Sequence, residues 1–390
     1  MLDAIRALAF VGDLSMGQPI DHSSRTAALA GRLARALHGD DDHDAPAHAA
    51  CVALLRWSGC TANAPEFAAL LGDDVGGRDA MLTTASASEA AKFAGSVGEL
   101  AQIHCEVSGE IANTLGLPSE VEQPLRHIFE TYDGKGKPAG LSAQAIPACV
   151  FEVVLAGDLE IFSRTYGLVA ALRYIGDRAD TRYPAALVRI VQANAASWLA
   201  ELAEGEHERS TLPTSSRLGM LDTPLELVAD VIDLKLPWMT GFSRRVAETA
   251  LGAARALALD AHLQTRLYRA GLIHGIGRAS VPNVLWSADR RCGEADLERL
   301  RLVPYWTGRA ARRLPTLLEE VELASFAHER LDGSGSFRGA RGEALDLPAR
   351  VLSAAATGGG HCKGTQQRGS ATGSRERACF AWGDRGDGGV

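Results

Sequence analysis

No uninterrupted apolar stretch in the 390 residues approaches the roughly 20 needed to cross a bilayer, so a membrane-spanning helix is not expected. The start, MLDAIRALAF, carries charge inside a short apolar run and does not read as a signal peptide. No CxxC pair occurs, and the cysteines (Cys51, Cys60, Cys105, Cys149, Cys292, Cys362 and Cys379) are odd in number. That usage fits buried or free thiols in a reducing cytoplasm. Aromatics are scarce, at 6%. A basic excess is missing too: 40 Lys and Arg against 48 Asp and Glu leave a net charge of −8, which argues against a large nucleic-acid-binding surface.

The chain is not uniform. Between Gly358 and Val390 there is no Leu, Ile or Met, and ten of the 33 residues are glycine. Such a segment buries too little apolar surface to offset its chain entropy, and a disordered tail is expected. Its abrupt start after the apolar run ALDLPARVLSAAAT also fits a change of coding frame near Thr357. The spacing of His361, Cys362 and Cys379 matches no zinc pattern.

What is present elsewhere is Leu, Ala, Arg and Glu, with few β-branched runs, so residues 1–357 are expected to be all-α. In DHSSRTAALAGRLARALHG, Asp21 or Ser23 can cap a helix. Leu29, Leu33 and Leu37 give an apolar stripe, and Gly39 ends it. Residues 85–116, 149–174 and 180–204 give further helical patterns. A polar stretch at 204–222, containing Pro213, reads as a linker between domains at 1–203 and 223–357.

The two sides of that linker repeat one order of elements. HSSRTAALAGRLARAL from His22 answers FSRRVAETALGAARALAL from Phe242. ALLRWSGC answers AGLIHGIGR, and HCEVSGEIANTLG answers VPYWTGRAARRLP. HIFETYDGKGKPAG answers SFAHERLDGSGSFRG, and each copy then reaches Ile146-Pro147 or Leu347-Pro348. Asp-Gly alone favours a tight turn, so Asp133 and Asp332 read first as turn formers.

AGLIHGIGRASVP followed by AHERLDGSGSFRGARGEALDLPARVLSAA resembles the HD-GYP family of HD-domain phosphohydrolases. The first half resembles it more weakly, chiefly through YDGKGKPAGLSAQAIP. The resemblance implies two tandem HD-domain-like helical bundles. It also implies a centre of two or three metal ions that cleaves cyclic di-GMP by a metal-held hydroxide. The His-Asp pair of the family stands here as His274-Gly275, and the lysine that follows it as Arg278. Phe242, Val303 and Ala356 stand at further ligand positions, Ala327-His328-Glu329 at the His-His-Glu element, and Gly335-Ser336-Phe337 at the signature. In the first half the pair reads Arg56-Trp57, the lysine Cys60, and the signature Gly136-Lys137-Pro138. His22, His104 and Asp158 remain there at or next to ligand positions.

By resemblance, then, the candidate metal ligands are His274, His328, His22, His104 and Asp158. Arg278 is the candidate catalytic residue, and Asp332, Gly333 and Gly335 are candidates for substrate contact. Two imidazoles are few for a hydrolytic dimetal centre. The main expectation is therefore a non-catalytic signalling protein without a cofactor, a truncated relative of HD-domain/LuxR-type transcriptional regulators. The alternative is a phosphodiesterase acting on cyclic di-GMP or a related phosphoester, with Fe, Mn or Zn as cofactor. Expected partners are a cyclic dinucleotide or a protein, with no membrane and no nucleic acid, and the Ala/Leu stripes are compatible with a homodimer.

Overall fold

The computed structural model describes residues 1–39, 41–84, 97–204, 225–287, 292–310 and 313–361. Residues 205–222 of the expected 204–222 linker and 362–390 of the expected 358–390 tail lie outside them, as do residues 85–96 of the helical pattern at 85–116. Among the described residues there is no strand, only an isolated bridge between Ala179 and Tyr183, and the fold is all-α. No helix among them is long and apolar enough to cross a membrane.

The chain divides into two compact units. The first holds Met1–Phe67 and Val75–Pro224; the second holds Ala68–Asp74 and everything from Leu225. In the first, the helices Leu2–Ser15 and Ala45–Leu55 are buried along most of their length. Helices His22–His38, Val97–Thr114, Ser119–Arg126, Ala148–Tyr166 and Ala185–Ala203 complete the bundle. In the second, Leu225–Leu234, Phe242–Ala256, Ala261–Ile273, Val303–Arg309, Leu318–Ala324 and Leu347–His361 do the same. The second unit also buries an ion pair: Lys235 Nζ donates to Asp74 at 2.7 Å, and both side chains are fully enclosed.

Two local expectations are corrected. Neither Asp21 nor Ser23 caps the 22–38 helix with its side chain. Ser23 instead gives both its N–H and its hydroxyl to the Asp13 carboxylate, at 3.1 and 2.6 Å, so a carboxylate from the preceding helix satisfies the orphan donor. Leu29 and Leu33 are buried but Leu37 is exposed. A four-residue step turns about 400°, so each repeat drifts about 40° and the third leucine leaves the apolar face. Gly39 ends the helix with φ of 59°, as expected. At the other end, residues 358–361 continue the helix that Pro348 initiates.

Candidate active site

Each unit holds a buried polar centre built from the same parts. An aspartate near the end of one helix receives the N–H and hydroxyl of a serine ten residues on, at the start of the next. These are Asp13 with Ser23, and Asp233 with Ser243 at 2.8 and 2.7 Å. A glycine N–H then donates to a hydroxyl on a later helix: Gly59 to Ser108 at 3.0 Å, and Gly277 to Thr307 at 3.1 Å. Finally a buried glutamate collects the N–H groups of the Asp-Gly-x-Gly loop. Glu130 takes Ala139, Gly140 and Leu141, and Glu329 takes Arg338 and Ala340, all at 2.6–3.1 Å.

These bonds fix the loops. Asp332 accepts the Ser334 N–H at 2.8 Å, an Asx turn, and Gly333 follows with φ of 82°. Gly335 must lack a side chain, because a Cβ there would lie 2.5 Å from the Arg330 nitrogen and the Glu329 Cα. Gly136 is under the same constraint against Glu130 and Thr131. Asp332, Gly333 and Gly335 thus form one exposed-to-half-buried loop, flanked by the exposed Arg338 and Arg341.

At the heart of the second unit is Arg278, 3% exposed. Its guanidinium donates to His274 Nε2 at 2.7 Å and lies 3.4 Å from Asp233, over the Phe242 ring. His274 donates its other nitrogen, Nδ1, to the Gly271 carbonyl at 2.6 Å. The imidazole is therefore neutral, and burial, then the charge of Arg278, hold its pKa well below the ordinary value. His328 is half-buried, its ring 6.2 Å from that of His274, and the same two causes hold its pKa down to about 3.

The first unit reaches a similar arrangement with different residues. Arg56, also 3% exposed, donates to His22 Nε2, and His22 Nδ1 donates to Glu160 at 2.5 Å. Glu160 also receives Arg25 and Arg164. Although burial opposes it, the hydrogen bond from His22 and these charges keep the Glu160 carboxyl down at about 2. His104 stands apart from that pair. Its Nε2 donates to the Arg56 carbonyl at 2.7 Å, its ring packs against Trp57 and Phe129, and burial lowers its pKa to about 4. Asp158 is held by Arg182 at 2.8 Å and by the Tyr183 hydroxyl.

The structure therefore brings His274, His328 and Arg278 together in one unit, and places His22, His104 and Asp158 in the other around Arg56. Among the described residues, no group of three or more His, Cys, Asp or Glu is arranged to hold a metal ion. The donor set does not fit a dimetal centre, because the Nε2 lone pairs of His22 and His274 already accept from arginine. Sequence reading missed the roles of Asp13, Asp233, Glu130 and Glu160. The ten-residue Asp-to-Ser spacing, present in both halves, is the signal that finds the first two. A separate cavity of about 330 Å³ in the first unit is lined by His38, Asp42, His48, Glu120 and Glu152. Its acidic wall is unsuited to a phosphate dianion.

Comparison with known proteins now bears on function. Residues 226–374 match the HD domain family. Over 266 residues the chain is 26% identical to 3'3'-cGAMP-specific phosphodiesterase 3 of Vibrio cholerae, covering 66% of this chain and 58% of that protein. Over 131 residues it is 34% identical to 3'3'-cGAMP-specific phosphodiesterase 1 of the same organism, covering 33% of this chain and 30% of that protein. The chain thus spans less than two thirds of the curated relatives it matches. A crystal structure of a cyclic GMP-AMP-specific phosphodiesterase of V. cholerae superposes with a TM-score of 0.62 at 20% identity, over 92% of this chain and 98% of that one.

The expectation of a regulator without activity is overturned by these similarities, which run to phosphodiesterases. That expectation rests on absent ligands, and absent ligands say nothing of what the relatives do. The relatives' names also point to 3'3'-cGAMP in place of the expected cyclic di-GMP.

Proposed function

We propose that this chain acts on a 3'3'-cyclic dinucleotide and hydrolyses one of its two phosphodiester links. Water adds to phosphorus, the ribose oxygen leaves with a proton, and a linear dinucleotide results. The observation that carries the reading is the 266-residue similarity to a 3'3'-cGAMP-specific phosphodiesterase. In this reading the stretch 1–203 is a diverged copy of 223–357, and the reaction belongs to the latter. The shared Asp-Ser, Gly-hydroxyl and Glu-loop bonds support the duplication.

Within the second unit the Asp332-Gly333-Ser334-Gly335 loop is the proposed wall for substrate. Arg338 and Arg341, exposed beside it, supply the cations that two phosphates require. Arg278 is buried, so it acts as a positioning residue that fixes His274 and Asp233 and does not touch substrate. No step is routed through a metal, since the described donors do not fit one.

The test is conversion of 3'3'-cGAMP by the purified full chain, followed by chromatography, with cyclic di-GMP and cyclic di-AMP alongside. Appearance of the linear dinucleotide from 3'3'-cGAMP is expected. No conversion of any of the three overturns the reading.

A further inference from the structure

We infer that an internal guanidinium stands in for the metal ion in both units, Arg278 in the second and Arg56 in the first, so that neither centre takes up a divalent cation. A histidine binds a metal through the lone pair of a neutral ring nitrogen, while its other N–H is fixed by a hydrogen bond. Both conditions for ligation are prepared here. His274 Nδ1 is fixed by the Gly271 carbonyl and His22 Nδ1 by Glu160, so in each ring Nε2 carries the lone pair. In each ring that lone pair accepts an arginine N–H. A fixed cation already occupies the position, and a second cation there meets both a blocked donor and a like charge.

The space is taken as well as the lone pair. Where the resemblance expects the bridging carboxylate, residue 275 is glycine. A Cβ at that position would lie 2.5 Å from Arg278 Nη1 and 2.9 Å from its Cζ. The Arg278 side chain thus fills the room a carboxylate at 275 would need. In the first unit a Cβ at Gly157 would fall on Arg56 in the same way. The two guanidinium groups do not come from corresponding positions. Aligned on the Gly59 and Gly277 bonds, Arg56 matches His274, and Arg278 matches Cys60. Aligned on the Ser23 and Ser243 bonds, His22 matches Phe242. Two different substitutions therefore end in one arrangement, an arginine donating to Nε2 of a buried neutral histidine.

This inference concerns the centre and not the substrate, so metal content and 3'3'-cGAMP conversion are read separately. The full chain is incubated with excess Mn²⁺, then with Fe²⁺ under anaerobic conditions, desalted, and analysed for bound metal by mass spectrometry. No stoichiometric metal is expected, and one or two retained ions per chain overturn the inference whatever the activity. Conversion without metal upholds both this inference and the proposed function; absence of both metal and conversion overturns only the function. In the double variant Gly275→Asp with Arg278→Lys, the introduced carboxylate gains room beside His274. Uptake is expected to rise to about one ion per chain, held by His274, the new carboxylate and His328. A folded double variant that takes up no metal overturns the claim that the guanidinium is what excludes it. The wild-type measurement stands independently of whether the variant folds.

Discussion

The first unit surrounds its arginine with more negative charge than the second does. Arg56 lies in the field of the Asp158 and Glu160 carboxylates and beside Asp13, whose carboxyl burial pushes up to about 8, whereas Arg278 has Asp233, which burial also raises. The histidines differ to match: His22 is held between a guanidinium and a carboxylate, His274 between a guanidinium and a backbone carbonyl. A buried cation must be compensated, and the two units do it with different residues while keeping the Asp-Ser clamp and the glutamate that gathers the loop. What persists is an arginine donating to Nε2 of a buried histidine, and what varies is the position that supplies the arginine.

The largest effects should come from removing those arginines. Arg278→Met leaves the His274 acceptor and the Asp233 carboxylate without their cation, Arg56→Met leaves the His22 acceptor without its donor, and losses of up to about 3–5 kcal/mol are expected. Arg278→Met should lie at the upper end, because Asp233 loses its cation, whereas Glu160 keeps Arg25 and Arg164 and Asp158 keeps Arg182. Denaturant titration of the two variants checks the order, and equal losses would break the comparison.

Smaller effects are expected at the loops. Glu130→Gln and Glu329→Gln weaken charge-assisted bonds to three and two backbone N–H groups respectively. About 1.5–3 kcal/mol is expected at the first and less at the second. Hydrogen exchange of the loop amides checks it: protection at 139–141 should fall more than at 338–340.

Acid acts on the buried histidines of both units, on His22 and His104 in the first and on His274 and His328 in the second. The His104 pKa is about 4 when folded against 6.5 when free, so the unfolded chain takes up its proton first as pH falls. The stability from burying this ring neutral is fully present above about 6.5 and is lost toward about 4, at about 1.4 kcal/mol per pH unit where the two states differ by one proton. The second unit has Val303 at the corresponding place, which does not titrate. His104→Val should therefore flatten the pH dependence of unfolding in this window, and an unchanged slope would contradict the assignment.

Much of the fold was legible in the chain. Pro147 and Pro348 start helices, Gly39 stops one, and the Asp-Gly-x-Gly repeats close the loops that Glu130 and Glu329 anchor. These are local devices, and local spacing reveals them. The centre was legible only as a set of missing ligands. What occupies it depends on Arg56 meeting His22 across 34 residues and Arg278 meeting Asp233 across 45. No periodicity records such pairings. Leu37 departs from the expected stripe because a four-residue spacing is not a constant face. The regulator reading rests on absent ligands alone, whereas the chain's similarities run to phosphodiesterases.

The central claim is that Nε2 of both His22 and His274 is an acceptor occupied by arginine. Nitrogen NMR of the imidazoles in the wild-type full chain, with and without Mn²⁺, tests this most directly. Both rings are predicted to stay neutral with the proton on Nδ1 through the range in which an ordinary histidine titrates, and to keep their signals when Mn²⁺ is added. A proton found on Nε2, or paramagnetic loss of either signal, would contradict it.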